Sequence, residues 1–424
     1  MAFTDPSPPP PTGFFGWKVV RAAFVTAFFA WGIGFYGPPI FLQTLAQQHG
    51  WPVGLLSLAL TVQFLIGAAV VAQLARLHRR FGQVAVLRAG AVLTALGLLG
   101  WAMAQQPWQL FLALPLSAAG WALTSAAALN AALAPWFVQR RPMALGLAFN
   151  GASLSGLVLS PLWVALIGGL GFATAAGLVG AVAAVLLWWM AGRFFAPTPA
   201  GLGQAPDGAA PAASALAAPP RPAVASAPLP ANPWRDRRFA TLTVAASLAL
   251  FAQIGLVAHL FSVLVPLLGA GAAGWAMGGA TGCGMLGRLA VGRLLRPGAS
   301  RRRAAALNGA VQALGSALLL AGSAGSVPLM LAGCALFGLG IGNATSLPPL
   351  IAQAEFRAED LPRAVALVTA IGQAAYAFAP AGFGLLRDGG PAIFLAAGLL
   401  QLAAGALLLW PPPRQSRRRR GAPA

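Results

Sequence analysis

One arginine stands in a long stretch of this sequence that is otherwise uncharged. Arg288 lies within 271–294, about one and a half helical turns deeper than Arg293, and Gly284 and Gly292 leave room one turn away on either side. Burying a guanidinium among apolar side chains is costly unless an anion or water meets it. Its planar fork suits a carboxylate, so the sequence favours Arg288 as the contact for an anionic substrate. The alternative is a side chain that reaches the membrane surface or binds backbone carbonyls.

The acids of the chain offer this cation no partner within an apolar stretch. There are seven Asp and Glu residues, and all lie in predicted tails, loops or span ends. They are Asp5, Asp207, Asp236, Glu355, Glu359, Asp360 and Asp388. We therefore expect the charge of Arg288 to be met by a small anionic substrate.

Six further polar residues are candidates for the same site. Histidine titrates near neutral pH, so His259 is a candidate for substrate binding and for carrying a coupled proton; the alternative is a neutral ring bonded to a backbone carbonyl. Tyr36 stands in 34–39, where glycines and prolines predict a broken helix that exposes backbone groups to a cavity; the alternative is an aromatic anchor at the membrane interface. The remaining four candidates are Tyr376, Asn150, Asn343 and Gln373. For the three amides among them, hydrogen bonds between helices are the alternative.

These residues fall in apolar runs long enough to cross a membrane. The chain of 424 residues is 58% hydrophobic and 8% charged, whereas soluble globular proteins carry about 25% charged residues. The runs are continuous rather than alternating, which predicts an all-α membrane protein. Twelve spans are predicted, at about 18–42, 54–75, 84–104, 108–134, 142–167, 171–194, 238–268, 271–294, 304–323, 326–353, 362–386 and 390–410.

The spans divide into two sets of six that look like copies of one unit. Phe137 and Phe356 are as far apart in the chain as Pro161 and Pro380. Two six-helix halves are common among secondary transporters. The segment between them is rich in Ala and Pro, which predicts a flexible tether. The predicted division is a disordered tail 1–17, a half 18–195, a cytoplasmic linker 196–236, a second half 237–411 and a basic tail 412–424.

Nearly all positive charge lies on one side of the predicted membrane. With both termini in the cytoplasm, the cytoplasmic connections hold every one of the 27 lysines and arginines except Arg288 and Arg387. The net charge of +20 is therefore a signal for topology and for attraction to anionic lipid of the inner leaflet, not for nucleic-acid binding.

Charged residues before and after the spans suggest a latch at the cytoplasmic face. An acidic pair precedes the eleventh span, and twin arginines end the second span and precede the fifth. Pairing across the halves would close this face and break when it opens, although acids also simply favour the start of a helix. The candidate gate residues are Arg79, Arg80, Arg140, Arg141, Glu359 and Asp360.

Small residues recur on one face of the fifth predicted span. Ala144, Ala148, Ala152 and Gly156 stand at every fourth position. Such a ridge lets two membrane helices approach closely.

Several classes of enzyme are excluded. The sole lysine, Lys18, follows Trp17, so there is no phosphate-binding loop for a nucleotide. The few acids cannot assemble a magnesium site. Cys283 and Cys334, the only cysteines, support neither a disulfide framework nor a metal centre. We expect no cofactor, no metal and no catalytic residue.

The chain resembles the major facilitator superfamily over nearly its whole length, and within it the bacterial relatives of monocarboxylate transporters and oxalate/formate exchangers. The motifs are Phe15-Gly16-Trp17, Trp136-Phe137 with Arg140-Arg141, Asn150-Gly151-Ala152-Ser153, His259 and Gly287-Arg288. Arg79 and Leu295 stand where the superfamily's loop motif usually carries Asp. The second cation expected of oxalate exchangers in the eleventh span is also missing, which argues against a dicarboxylate.

The resemblance implies a secondary carrier of the cytoplasmic membrane that moves a small organic anion, most simply a monocarboxylate, by alternating access. Coupling to a proton is left open, and a monomer is expected. The alternatives are an exporter of drugs or lipophiles from the same superfamily and a transporter-like sensor that moves nothing.

Overall fold

The structure is a computed structural model that describes residues 13–208, 229–295, 299–357, 359–387 and 390–410, apart from the side chains of Pro142 and Pro362. Most of the predicted N-terminal tail, the middle of the linker, residues 296–298, Asp388 and the predicted basic tail lie outside the described residues.

The described residues form helices joined by short connections. The first half contains α1 Gly16–Gly34, α2 Pro38–His49, α3 Val53–Phe81, α4 Gln83–Met103, α5 Pro107–Leu123, α6 Ala126–Leu133, α7 Arg141–Leu170 and α8 Phe172–Phe194. The second half contains α9 Arg237–Leu294, α10 Arg301–Gly322, α11 Val327–Glu355, α12 Leu361–Ala377, α13 Ala379–Leu386 and α14 Ala392–Leu409.

These helices make twelve membrane crossings. Eleven segments of the described chain are long and apolar enough to span a membrane, with α1 and α2, α5 and α6, and α12 and α13 each counted as one. The 58 residues of α9 would extend about 87 Å if straight, far more than one crossing needs. Gly269 breaks α9 with φ 74°, so it crosses twice. The predicted number of spans is confirmed.

The predicted break in the first span is also confirmed. Helix α1 ends at Gly34 and α2 begins at Pro38. Pro38 and Pro39 have no backbone N–H with which to continue the hydrogen bonds of α1. The amide nitrogens of Phe35 and Tyr36 instead both donate to the carbonyl of Trp31, at 3.0 and 2.8 Å.

The apolar core shows how the halves meet. One buried cluster draws on both halves and includes Ile40, Leu60, Leu260 and Phe383. Towards the arginine-rich connections the core divides into a cluster of first-half residues and a cluster of second-half residues. We call these two ends the sealed end and the basic end. The halves are therefore joined at the sealed end and separated at the basic end.

Helix α7 joins the halves through the predicted ridge of small residues. Ala144 and Ala148 are fully buried. A Cβ at Gly156 would come within 2.5 Å of the Thr281 hydroxyl oxygen on α9. The prediction that this face packs closely is confirmed, because α7 approaches both α1 and the second half.

Each described end of the linker is attached to a helical half. The Asp207 carboxylate accepts hydrogen bonds from the amides of Val138, Gln139 and Arg140 in the loop before α7. At the far end, Leu229 is buried in the core of the second half. The middle of the linker lies outside the described residues, so the flexible tether stays a prediction there.

Candidate functional site

Arg288 lies on the part of α9 that follows the break at Gly269, and it is half-buried. Its Nε donates a hydrogen bond to the Gly342 carbonyl of α11 across 3.3 Å. In the described chain, no carboxylate forms an ion pair with Arg288, and its terminal nitrogens have no hydrogen-bond partner. The backbone contact thus orients the guanidinium without neutralising its charge.

The two glycines that flank Arg288 have different roles. A Cβ at Gly284 would lie 3.1 Å from the Gly338 carbonyl, so α11 fills the space predicted to be open. A Cβ at Gly292 would meet no atom within 4 Å. The prediction of room on both sides is wrong for Gly284, because that glycine serves the close packing of α9 on α11.

Tyr36 approaches Arg288 from the other half of the protein. It lies in the break between α1 and α2, is only 5% exposed, and is near enough to Arg288 for the phenol and the guanidinium to interact electrostatically. Phe35 packs edge-on against its ring, with 5.0 Å between the centroids. The broken first span thus brings a hydroxyl of one half towards the cation of the other.

A network of buried amides supports the helix that holds Arg288. Gln312 of α10 donates to the side-chain oxygen of Gln253 at 2.9 Å, and Gln253 donates to the Ile341 carbonyl at 3.4 Å. Asn343 donates to Asn308 at 3.0 Å. These bonds tie α9 and α10 to the part of α11 that carries Gly342. The role of Asn343 is therefore a hydrogen bond between helices, the alternative considered for the amides.

The sequence interpretation missed Gln253, Gln312 and Asn308 as parts of this network. Asn308 and Gln312 are one turn apart in a predicted span, and polar residues with that spacing share a helix face. This spacing was the sequence signal that could have identified Asn308 and Gln312.

Three other candidates lie on helices that border the separation between the halves. Tyr376 on α12 packs edge-on against Phe64 of the first half, with 5.9 Å between ring centroids, and Gln373 lies about one turn before it on the same helix. Asn150 on α7 is half-buried, and no described residue hydrogen-bonds its side chain. Among the described residues, no hydrogen bond joins Asn150, Gln373 or Tyr376 to Arg288.

His259 is buried at the sealed end, with 1% of its surface exposed. Its Nε2 lies 3.0 Å from the Pro380 carbonyl of α13 and 3.5 Å from the Ser57 hydroxyl of α3. Because the Ser57 hydroxyl donates to the Val53 carbonyl, the geometry fits an Nε2–H that donates to Pro380. His259 therefore adopts the carbonyl-bonded arrangement and sits where the two halves touch.

The predicted gate residues lie at the basic end. Arg79 and Arg80 are exposed at the end of α3, and Glu359 is exposed before α12. Arg141 donates to Asn130 at 3.0 Å. Asp360 accepts from the backbone amide of Leu229 at 2.8 Å. The latch across the halves stays a prediction, for the state in which the basic end is closed.

Other acids make the ion pairs that the described residues show at this end. Arg302 of α10 binds Glu355 of α11 through two hydrogen bonds, of 2.6 and 2.9 Å. Arg238 pairs with Asp236 at 2.7 Å. Burial alone would raise the pKa of Asp236, but the hydrogen bonds and charge of Arg238 outweigh it and hold that pKa below its usual value. Both pairs stabilise the second half internally.

A comparison of the whole sequence with families of known proteins identifies this architecture. The model of the Major Facilitator Superfamily matches residues 22–380. The chain belongs to this superfamily. As a superfamily member with twelve crossings, it is a multi-pass transporter and not an enzyme.

The curated relatives are monocarboxylate transporters. Monocarboxylate transporter 11 of Mus musculus is 37% identical over 183 residues, which cover 41% of this chain and 38% of that protein. Monocarboxylate transporter 13 of Rattus norvegicus is 33% identical over 161 residues, which cover 36% of each chain. The match thus spans less than two fifths of the length of these relatives.

Solved structures share the fold. A mutant of the peptide transporter POT in complex with sulfate superposes with a TM-score of 0.70 at 16% identity, covering 92% of this chain and 94% of that one. The same transporter in complex with alafosfalin superposes with a TM-score of 0.69 at 17% identity. At this identity the likeness concerns the fold alone.

Proposed function

We propose that this transporter is a secondary carrier for a small organic anion of the monocarboxylate class. The observation that carries the proposal is the half-buried Arg288, whose terminal nitrogens have no partner among the described residues. A carboxylate entering between the halves accepts two hydrogen bonds from this fork and neutralises it. The names of the curated relatives support the substrate class.

Alternating access supplies the mechanism. We propose that the protein lies in the inner membrane with its basic end facing the cytoplasm. The structure then corresponds to a state open to the inside. Tyr36 of the first half and Arg288 of the second then meet the substrate from opposite sides. Rocking of the halves closes the basic end and separates the contacts of the sealed end.

Coupling to a proton is assigned to His259 within this proposal. In the sealed state, its Nε2 is occupied by the Pro380 carbonyl. Opening of the sealed end breaks this contact and exposes the imidazole to water, where it titrates near neutral pH. Proton uptake then favours one arrangement of the halves over the other.

The test is uptake of labelled monocarboxylates into proteoliposomes, combined with thermal melting of each variant. We expect Arg288→Gln to abolish uptake while the protein still melts cooperatively, since a neutral side chain is easier to bury. Arg288→Lys keeps the charge but loses the fork and should retain weak uptake. Arg293→Gln, an exposed cation on the same helix, is the matched control. Full uptake by a folded Arg288→Gln protein would refute the anion site.

A further inference from the structure

Another arginine inside a membrane-spanning helix is held by contacts outside the candidate substrate site. Arg88 is on the second turn of α4, within the predicted span 84–104, and its charge is grouped with those of the predicted cytoplasmic side. Its guanidinium stacks on Trp188 of α8, with 4.9 Å from Cζ to the ring centroid. Its Nε points at the Trp188 carbonyl, 3.4 Å away. Arg88 is therefore held at a fixed place between α4 and α8.

A missing side chain makes room for this arrangement. A Cβ at Gly192 would come within 2.5 Å of the Arg88 Nη2 atom. Arg193 follows directly and is exposed, with its guanidinium 5.9 Å from the Phe194 ring centroid. Two cations thus converge on the last turns of α8 at the basic end.

The surroundings are those of a lipid-facing interface. Trp188 and Trp189 are 47% and 55% exposed, and tryptophan is enriched where membrane helices meet the headgroups. Among the described residues, no carboxylate forms an ion pair with Arg88 or Arg193. The face formed by Arg88, Trp188, Gly192 and Arg193, which we call the α4–α8 face, therefore combines uncompensated positive charge with exposed aromatic surface.

We infer that the α4–α8 face binds the phosphate of an anionic phospholipid. The terminal nitrogens of Arg88 supply charge-assisted hydrogen bonds to phosphate oxygens, and Arg193 adds a second positive charge. The exposed tryptophan rings lie against the upper part of the acyl chains. A lipid is favoured over a free ion because the cation lies about 7 Å along α4 from its first residue, at the depth of headgroups.

The test is thermal melting of the full-length protein in mixed micelles with increasing phosphatidylglycerol. Lipid that binds the folded state raises the Tm. We expect Arg88→Gln to need about fivefold more phosphatidylglycerol for the same rise, which corresponds to one surface cation. Gly192→Ala should act in the same direction with every charge retained, because its Cβ displaces the guanidinium. Arg303→Gln, an exposed cation on α10 at the same end, should titrate like the wild type.

The outcomes separate the explanations. The inference would be overturned if Arg88→Gln and Gly192→Ala both needed no more phosphatidylglycerol than the wild type for the same rise in Tm. An equal loss in Arg303→Gln would show a general charge effect and overturn it as well. Equal stabilisation by phosphatidylcholine would show that the headgroup need not be anionic. Equal stabilisation by inorganic phosphate would show that the face binds a free ion and not a lipid. Either result contradicts the inference.

Discussion

Arg288 of α9 and Gly342 of α11 are joined by a hydrogen bond from Nε to the backbone carbonyl, 3.3 Å long. A side chain at position 342 would crowd both the α9 backbone and the guanidinium, because its Cβ would lie 2.6 Å from the Gly284 carbonyl oxygen, 3.0 Å from Nε and 3.1 Å from Nη2. The buried amides Gln253 and Asn343 hold the same stretch of α11 in place. The direction of the guanidinium is thus set by helix packing rather than by an acid.

Gly342→Ala tests this relationship without changing charge. The added methyl group would press on the Gly284 carbonyl of α9 as well as on the guanidinium, so the bond from Arg288 to the Gly342 carbonyl should be lost. A charge-assisted hydrogen bond contributes about 1.5–3 kcal/mol. We expect the apparent affinity for the transported anion to fall about tenfold or more. Gly292→Ala, in open space one turn from Arg288, should transport normally. Equal effects of the two substitutions on anion affinity would show that the orientation of Arg288 is irrelevant.

His259→Gln tests proton coupling at the sealed end. The glutamine amide can replace Nε2–H as a donor to Pro380 but does not titrate, so the sealed contact should form while the pH dependence of uptake becomes flat. The measurement is the initial rate of uptake between about pH 5.5 and 7.5, one unit on either side of the unperturbed histidine pKa. His49→Gln is the control, since His49 stacks on Trp51 and takes no part in the hydrogen bond to Pro380. An unchanged pH profile in His259→Gln would exclude His259 as the proton carrier, though a carboxylic acid could still cross with its own proton.

The helices could be predicted from the sequence because their signals are local. The start of α3 at Val53 and of α4 at Gln83 falls within two residues of the predicted spans, and the prolines at 38 and 39 predict the break beside Tyr36. The length of an apolar run and the positions of proline and glycine decide these features without reference to distant residues.

The contacts within the candidate site could not be predicted in the same way. Gln253 and Gln312 come from different helices, and only their packing shows that one donates to the other. Gly284 has the same local sequence signal as Gly292, but only Gly284 faces α11. Arg88 lies within the predicted span, but nothing in the sequence shows that it packs on Trp188 of α8. Each of these depends on which helices become neighbours.

Gly151→Ala tests the close approach of α7 to α1. A Cβ at Gly151 would clash with the Phe24 carbonyl oxygen, so one of the two backbones must move. Overpacking of this kind costs about 1–3 kcal/mol, and we expect a lower Tm in detergent. Gly146→Ala on the same helix meets no atom within 4 Å and serves as the control. A Tm for Gly151→Ala equal to that of Gly146→Ala would contradict the packing of α7 on α1.

Asp207→Ala tests whether the linker fastens the entrance to α7. The carboxylate accepts from the amides of Val138, Gln139 and Arg140, at 3.2, 2.8 and 3.1 Å, so its loss should leave these amides without their acceptor. We expect faster hydrogen exchange in a peptide covering residues 136–141.

Two further variants show whether the carboxylate or the backbone turn at Asp207 causes this effect. Asp207 has φ 61°, a conformation that glycine adopts without strain, so Asp207→Gly removes the carboxylate while keeping the backbone turn. Asp207→Asn retains one acceptor oxygen and should protect the peptide partly. Equal protection in the wild type and Asp207→Gly would mean that the turn alone fastens the linker. Faster exchange in Asp207→Gly, with an intermediate rate in Asp207→Asn, assigns the fastening to the carboxylate.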